Sequence, residues 1–71
     1  MGRSAFTQKE IETLRANLRE LRPAERSRQK TIRARMRRTG FYITDFATDA
    51  QGFTVSDFDD LLRRGVIKMV D

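Results

Sequence analysis

Cysteine, histidine and tryptophan are all absent from this chain, and proline occurs once. Without cysteine there is neither a disulfide nor a thiolate metal site, which agrees with a reducing compartment. Without histidine the commonest general base, the usual metal-ligating nitrogen and the ordinary pH switch near neutrality are gone. Zinc centres and Ser-His or Cys-His nucleophiles are thereby excluded, and no cofactor, metal site or enzymatic activity is expected. Long apolar runs are missing too. No stretch approaches the roughly 20 residues that cross a bilayer. The opening "MGRSAFT" lacks the apolar centre of a secretory signal, and Phe6 stands where an N-myristoylation pattern needs Ser or Thr. The chain therefore reads as intracellular and cytoplasmic, with no membrane partner.

What is present in abundance is positive charge. The net charge is +5 over 71 residues. Residues 1–39 hold twelve Lys/Arg against four Glu, a net of +8, whereas residues 40–71 hold three against six Asp, a net of −3. Such polarity steers association with a partner of opposite sign. With nothing to staple it, a chain of 71 residues is expected to form one small domain, near the size at which an apolar core only just offsets chain entropy.

The order of elements expected is helix, helix, strand, helix, strand, an α+β domain that is mainly helical. Thr7 and Glu10 make a T-x-x-E capping box, and Phe6 before the cap can close over Ile11 as a hydrophobic staple. Ile11, Leu14, Leu18 and Leu21 then share one stripe, which predicts a first helix over about 8–21. Pro23 suits a first helical position, so a second helix is expected over 23–39, with Arg22 alone linking a tight hairpin or a kinked pair. Gly40 supplies the left-handed stop, with Phe41 folding back toward Met36. "FYITDF" at 41–46 has a strand's aromatic and β-branched composition, and Asp49 to Gly52 that of a type I turn. "FTVSDFDDL" at 53–61 matches "FTQKEIETL" at 6–14 in kind, as two helix starts reached independently would. A third helix is expected over about 55–64, burying Val55, Phe58, Leu61 and Leu62, followed by a strand over 66–70. The two strands would lie parallel if they pair directly.

The second helix carries the most pronounced signal. At about 100° per residue, Arg26, Lys30, Arg33 and Arg37 fall within an arc of about 60°. Like charges at these spacings repel by roughly 0.2–0.5 kcal/mol per pair, and no acid inside the helix interrupts the stripe. Two sources of anion compete. Glu10, Glu12 and Glu20 of the first helix, or the aspartates of the third, neutralise the stripe within the fold, with solvent and salt screening the remainder. Alternatively the stripe meets nucleic acid, because a dense Arg-rich helix on a basic domain is the electrostatic footprint of phosphate contact. Seven of the eight basic residues between Arg22 and Arg38 are arginine, whose fork grips phosphate bidentately. In this reading Arg26, Lys30, Arg33 and Arg37 contact phosphates, Arg28, Arg35 and Arg38 support them, and Tyr42 is a stacking group. Only Gln29 and Arg33 suit base edges, so weak sequence selectivity is expected, on DNA or RNA.

Other readings are thinner. A helix-turn-helix needs a longer turn than Arg22 allows; of the carboxylate cluster Asp45, Asp49, Asp57, Asp59 and Asp60, Asp57 is already the capping acid and Asp59 and Asp60 lie near the N-terminus of the third helix, where negative charge is favoured, so catalysis is not expected. The rival is a protein-interaction or dimerisation module built on the apolar C-terminal helix and strand, with a homodimer or an acidic protein as partner.

Overall fold

The computed structural model describes residues 2–47 and 52–70. Its elements run β1 (Ala5–Phe6), α1 (Gln8–Leu21), α2 (Arg26–Thr39), a 3₁₀ turn (Ile43–Asp45), α3 (Val55–Arg63) and β2 (Lys68–Met69). The domain is α+β and mainly helical, as the residue pattern predicts, but its first strand is not where composition puts it and its second is shorter.

The helix starts follow from side-chain chemistry. The Thr7 hydroxyl accepts from the Glu10 N–H at 3.2 Å, and the Glu10 carboxylate accepts from the Thr7 N–H at 2.9 Å. Thr54 and Asp57 repeat the arrangement at the start of α3. Each box satisfies two backbone donors that the first turn leaves without partners. Helix α2 departs from expectation. It begins at Arg26, not Pro23, and Glu25 caps it without a side-chain hydrogen bond. The Ala24 N–H still reaches back to the Leu21 carbonyl at 3.3 Å, so 22–25 is a turn that reverses the chain. Pro23 lies exposed in that turn, and α1 and α2 pack against each other as a hairpin.

The end of α2 shapes everything after it. Gly40 adopts φ 102°, a conformation that side-chain-bearing residues rarely take. Its N–H reaches the Arg37 carbonyl at 2.9 Å, and the Phe41 N–H reaches the Met36 carbonyl at 3.0 Å, the two bonds of a Schellman ending. Phe41 is thereby thrown into the core. Its ring lies 6.0 Å from Phe6, 5.4 Å from Phe46, 6.0 Å from Phe53 and 5.3 Å from Phe58, so it meets every other phenylalanine of the chain.

This explains why 41–46 is not a strand. Residues five apart on a strand point to opposite faces, yet Phe41 and Phe46 stack with their planes 13° apart. A 3₁₀ turn brings both rings to one side, with Phe46 N–H donating to the Ile43 carbonyl at 2.9 Å. The second strand is also shorter than the predicted 66–70. Val66 and Ile67 donate to the Leu61 carbonyl and so still finish α3, and the strand is Lys68–Met69, with the Val70 N–H adding a bond to the Phe6 carbonyl at 2.8 Å. Its partner is Ala5–Phe6, in parallel, with Ala5 opposite Lys68 and Phe6 opposite Met69. The two strands do lie parallel, but the first of them is the segment before α1. α3 stops at Arg63, one residue short of the predicted end, with Phe58 and Leu61 buried and Val55 and Leu62 packed at the margin. The turn expected at 49–52 falls largely outside the described residues.

Arg3 ties the N-terminal segment to the end of α2. Its backbone N–H meets the Gly40 carbonyl at 2.7 Å, and its guanidinium meets the Thr39 carbonyl at 3.0 Å and Glu10 at 3.1 Å while lying over the Phe6 ring. The hydrogen bond from the Thr7 backbone, and after it that from Arg3, holds the Glu10 carboxyl below its ordinary pKa of 4.5. A carboxyl depressed on folding adds stability above its unfolded pKa and loses it as the pH falls through the folded value.

Two outcomes follow from this packing. Phe41→Ala should cost about 3–5 kcal/mol in urea unfolding, enough to leave the domain marginal. Glu10→Gln should lower stability at neutral pH and narrow the gap to the parent protein as the pH drops below 4.5, seen by comparing urea midpoints across that range.

Candidate functional site

Whether the basic stripe is neutralised inside the fold is answered carboxylate by carboxylate. Glu10 pairs with Arg3 at 3.1 Å, Glu20 with Arg28 at 3.1 Å and Asp59 with Arg15 at 3.0 Å. Asp60 takes both Arg63 and Arg64. Asp57 serves the Thr54 cap, and Asp45 accepts from the Gly2 N–H at 2.8 Å. Glu10 and Glu20 of α1 and Asp59 and Asp60 of α3 therefore meet cations that lie outside the stripe, whereas Glu12 and Glu25 form no ion pair among the described residues. Among the described residues, Arg26, Lys30, Arg33 and Arg37 form no ion pair with any carboxylate.

The rest of α2 divides around that stripe. Ile32 and Met36 are buried on the side facing α1. Arg28, expected to support the stripe, instead holds Glu20, with both side chains about half exposed. Such a pair adds little stability, but it orients Arg28 toward α1. Arg35 and Arg38 are exposed beside the stripe. No acid stands in the first turn of α2, where negative charge would suit the helix dipole. The helix therefore tolerates its own charge pattern at some cost.

The tertiary structure adds what spacing alone does not reveal. Lys30, Arg33, Met36 and Arg37 form one wall of a groove whose other wall is Phe41, Tyr42, Ile43 and Thr44, enclosing about 220 Å³. Met36 and Phe41, with no surface open to solvent, and Ile43, with 5%, are apolar side chains that underlie the groove. Lys30, Arg37 and Thr44 are exposed at the rim, while Arg33 and Tyr42 are half-buried. Arg26 continues the stripe one turn beyond the groove. Tyr42 is brought to the basic side chains because the Schellman ending turns the chain back along the last turn of α2.

Backbone packing holds Tyr42 in place. Gly2 lies so close that a β-carbon there would fall 2.8 Å from Tyr42 Cδ1 and 2.6 Å from the Gly40 oxygen. Only glycine allows the N-terminal segment to run past the groove at this distance. Thr44 and the underlying apolar side chains escape sequence reading because their membership depends on the turn after Gly40.

A larger depression of about 510 Å³ runs beside Phe46, Phe53 and Leu61, but its acids Asp57 and Asp60 are engaged in the α3 cap and by Arg63 and Arg64. Among the described residues, no three His, Cys, Asp or Glu side chains gather as a metal-holding group. No described helix is long and apolar enough to cross a membrane. No known protein family matches this chain, and comparison with curated proteins and with solved structures finds no significant match.

The unneutralised stripe has a measurable signature in the free protein. Lys30 faces Arg26 and Arg33 at helical neighbour positions, so Lys30→Gln should leave the fold intact and raise stability by roughly 0.5 kcal/mol at low salt. The gain should fade as salt screens it, a trend that urea midpoints at two ionic strengths would register.

Proposed function

We propose that this chain binds nucleic acid, without catalysing a reaction on it, through the basic stripe of α2. The observation that carries the reading is that Arg26, Lys30, Arg33 and Arg37 share one face without a carboxylate partner among the described residues, although the fold supplies acids to most of its other arginines. A phosphate backbone would reverse the repulsion along that face, because each cation would then meet an anion and release a condensed counterion. Arg35 and Arg38 lie close enough to add to the field. Arg28 contributes less while Glu20 holds it. Contacts to phosphate position a nucleic acid without reading it, so the expected selectivity for sequence is weak.

A second reading has one observation in its favour. Val66, Met69 and Val70 are 42%, 51% and 46% exposed, beside a strand with an open edge. An apolar edge of this kind suits pairing with a protein or a second copy. Sedimentation at two concentrations, with and without an oligonucleotide, separates the two: the nucleic-acid reading expects a shift on adding the oligonucleotide, and the rival expects one on raising protein concentration.

The salt dependence of binding is the direct test. Four phosphate contacts predict a slope of log affinity against log salt of about −3.6 on duplex and about −2.8 on a single strand. The doubly substituted Arg33→Gln, Arg37→Gln protein should bind more weakly and show about half that slope. Absence of binding to any nucleic acid at low salt would end this reading.

A further inference from the structure

Phosphate contact alone would need only a convex row of cations. The groove beside α2 offers more, since three of the four stripe residues converge on a concave site that lies over buried apolar side chains and has a half-buried aromatic side chain at its edge. About 220 Å³ is below the roughly 300–1,000 Å³ of pockets that enclose drug-sized ligands, which suits one small planar group. An unpaired base presents such a group within reach of its own phosphates. In a duplex the base faces are stacked inside and are not offered to a surface groove.

Resting on the nucleic-acid reading above, we propose that this groove is a single-strand site: one unpaired base enters it and stacks on Tyr42 above Met36, Phe41 and Ile43, while Lys30, Arg33 and Arg37 hold the flanking phosphates. Base stacking on an aromatic side chain is tolerant of base identity, because every base has a π face. The exposed Thr44 side chain stands at the rim, beside a base edge in the groove. Arg26, about 16 Å along the helix axis from Arg37, takes a further phosphate of the strand as it leaves the groove. Gly2 backs the Tyr42 ring, and Arg3 clamps the turn that carries it, so the stacking surface is formed before the strand arrives.

Tyr42 is the sole tyrosine in a chain without tryptophan, so its fluorescence reports the site directly. The experiment titrates the whole protein with oligo(dT), with oligo(U) and with an abasic strand of the same length, each about 12 nucleotides, within the range of known single-strand site sizes. A matched duplex is the fourth ligand. Both base-bearing strands should quench Tyr42 and bind about 5- to 150-fold more tightly than the abasic strand, the range that one stacked base supplies. Oligo(dT) and oligo(U) compared with each other distinguish DNA from RNA as the source of the base. Tyr42→Ala should erase the preference for bases while leaving the salt slope unchanged, and Tyr42→Phe should keep it.

Equal binding of the abasic strand, or an unquenched Tyr42 in the saturated complex of the unsubstituted protein, overturns the stacking site. If duplex and abasic strand still bind with a steep salt slope, the phosphate-binding reading survives that result. Failure of all four ligands to bind removes both.

Discussion

The reversal at Gly40 is the constraint on which the rest of the molecule depends. A left-handed residue at that point ends α2 with two hydrogen bonds and swings Phe41 inward. The ring then becomes the common neighbour of four others, which come from β1, the 3₁₀ turn, the approach to α3 and α3 itself. In a chain this short, with no disulfide to limit the unfolded state, one ring that joins so many segments supplies much of what makes the fold specific. The same reversal lays Tyr42 and Thr44 alongside the last turns of α2. Core and groove therefore share a cause.

The N-terminal segment secures that reversal from outside. Gly2 and Arg3 run across residues 39–45, and the Arg3 guanidinium joins the free Thr39 carbonyl to the Glu10 capping carboxylate. Carbonyls at the end of a helix lack partners within it, so a cation at that point meets both their dipoles and their hydrogen-bonding need. β1 follows directly and pairs with β2, which closes the chain's two ends against each other. A sheet of two short strands is weak by itself. Here it holds because Phe6, one of its residues, is fully buried beside Phe41.

Electrostatics divide the molecule into a satisfied part and an unsatisfied one. Arg3, Arg15, Arg28, Arg63 and Arg64 each meet a carboxylate, whereas among the described residues the α2 stripe does not. Exposed ion pairs add little stability, so the division matters less for folding than for what the surface can attract. The negative C-terminal part of the chain, which by composition stood as a candidate counterion to the stripe, turns its described aspartates elsewhere: Asp57 to the α3 cap, Asp60 to Arg63 and Arg64, Asp59 to Arg15 and Asp45 to the Gly2 N–H. That outcome leaves a polarised surface and underlies the proposed interface.

Local chemistry was legible in the residues alone: both capping boxes, the buried stripe of α1, the glycine stop of α2, the inward turn of Phe41 and the alignment of four cations on one face. Each depends on neighbours a few positions apart, where the geometry of a helix or its termini dictates what meets. The strand at 41–46 was misplaced because aromatic and β-branched composition describes a half-buried surface, not a hydrogen-bonding partner. The pairing of 5–6 with 68–69 joins opposite ends of the chain, and no local pattern encodes a contact at that separation. The groove, the closeness of Gly2 to Tyr42 and the choice of which arginines receive carboxylates were likewise decided only by tertiary packing. Sequence by itself determined which residues carry charge and which seek the interior; the three-dimensional structure alone decided which of them meet, because long-range contacts are selected jointly by one core.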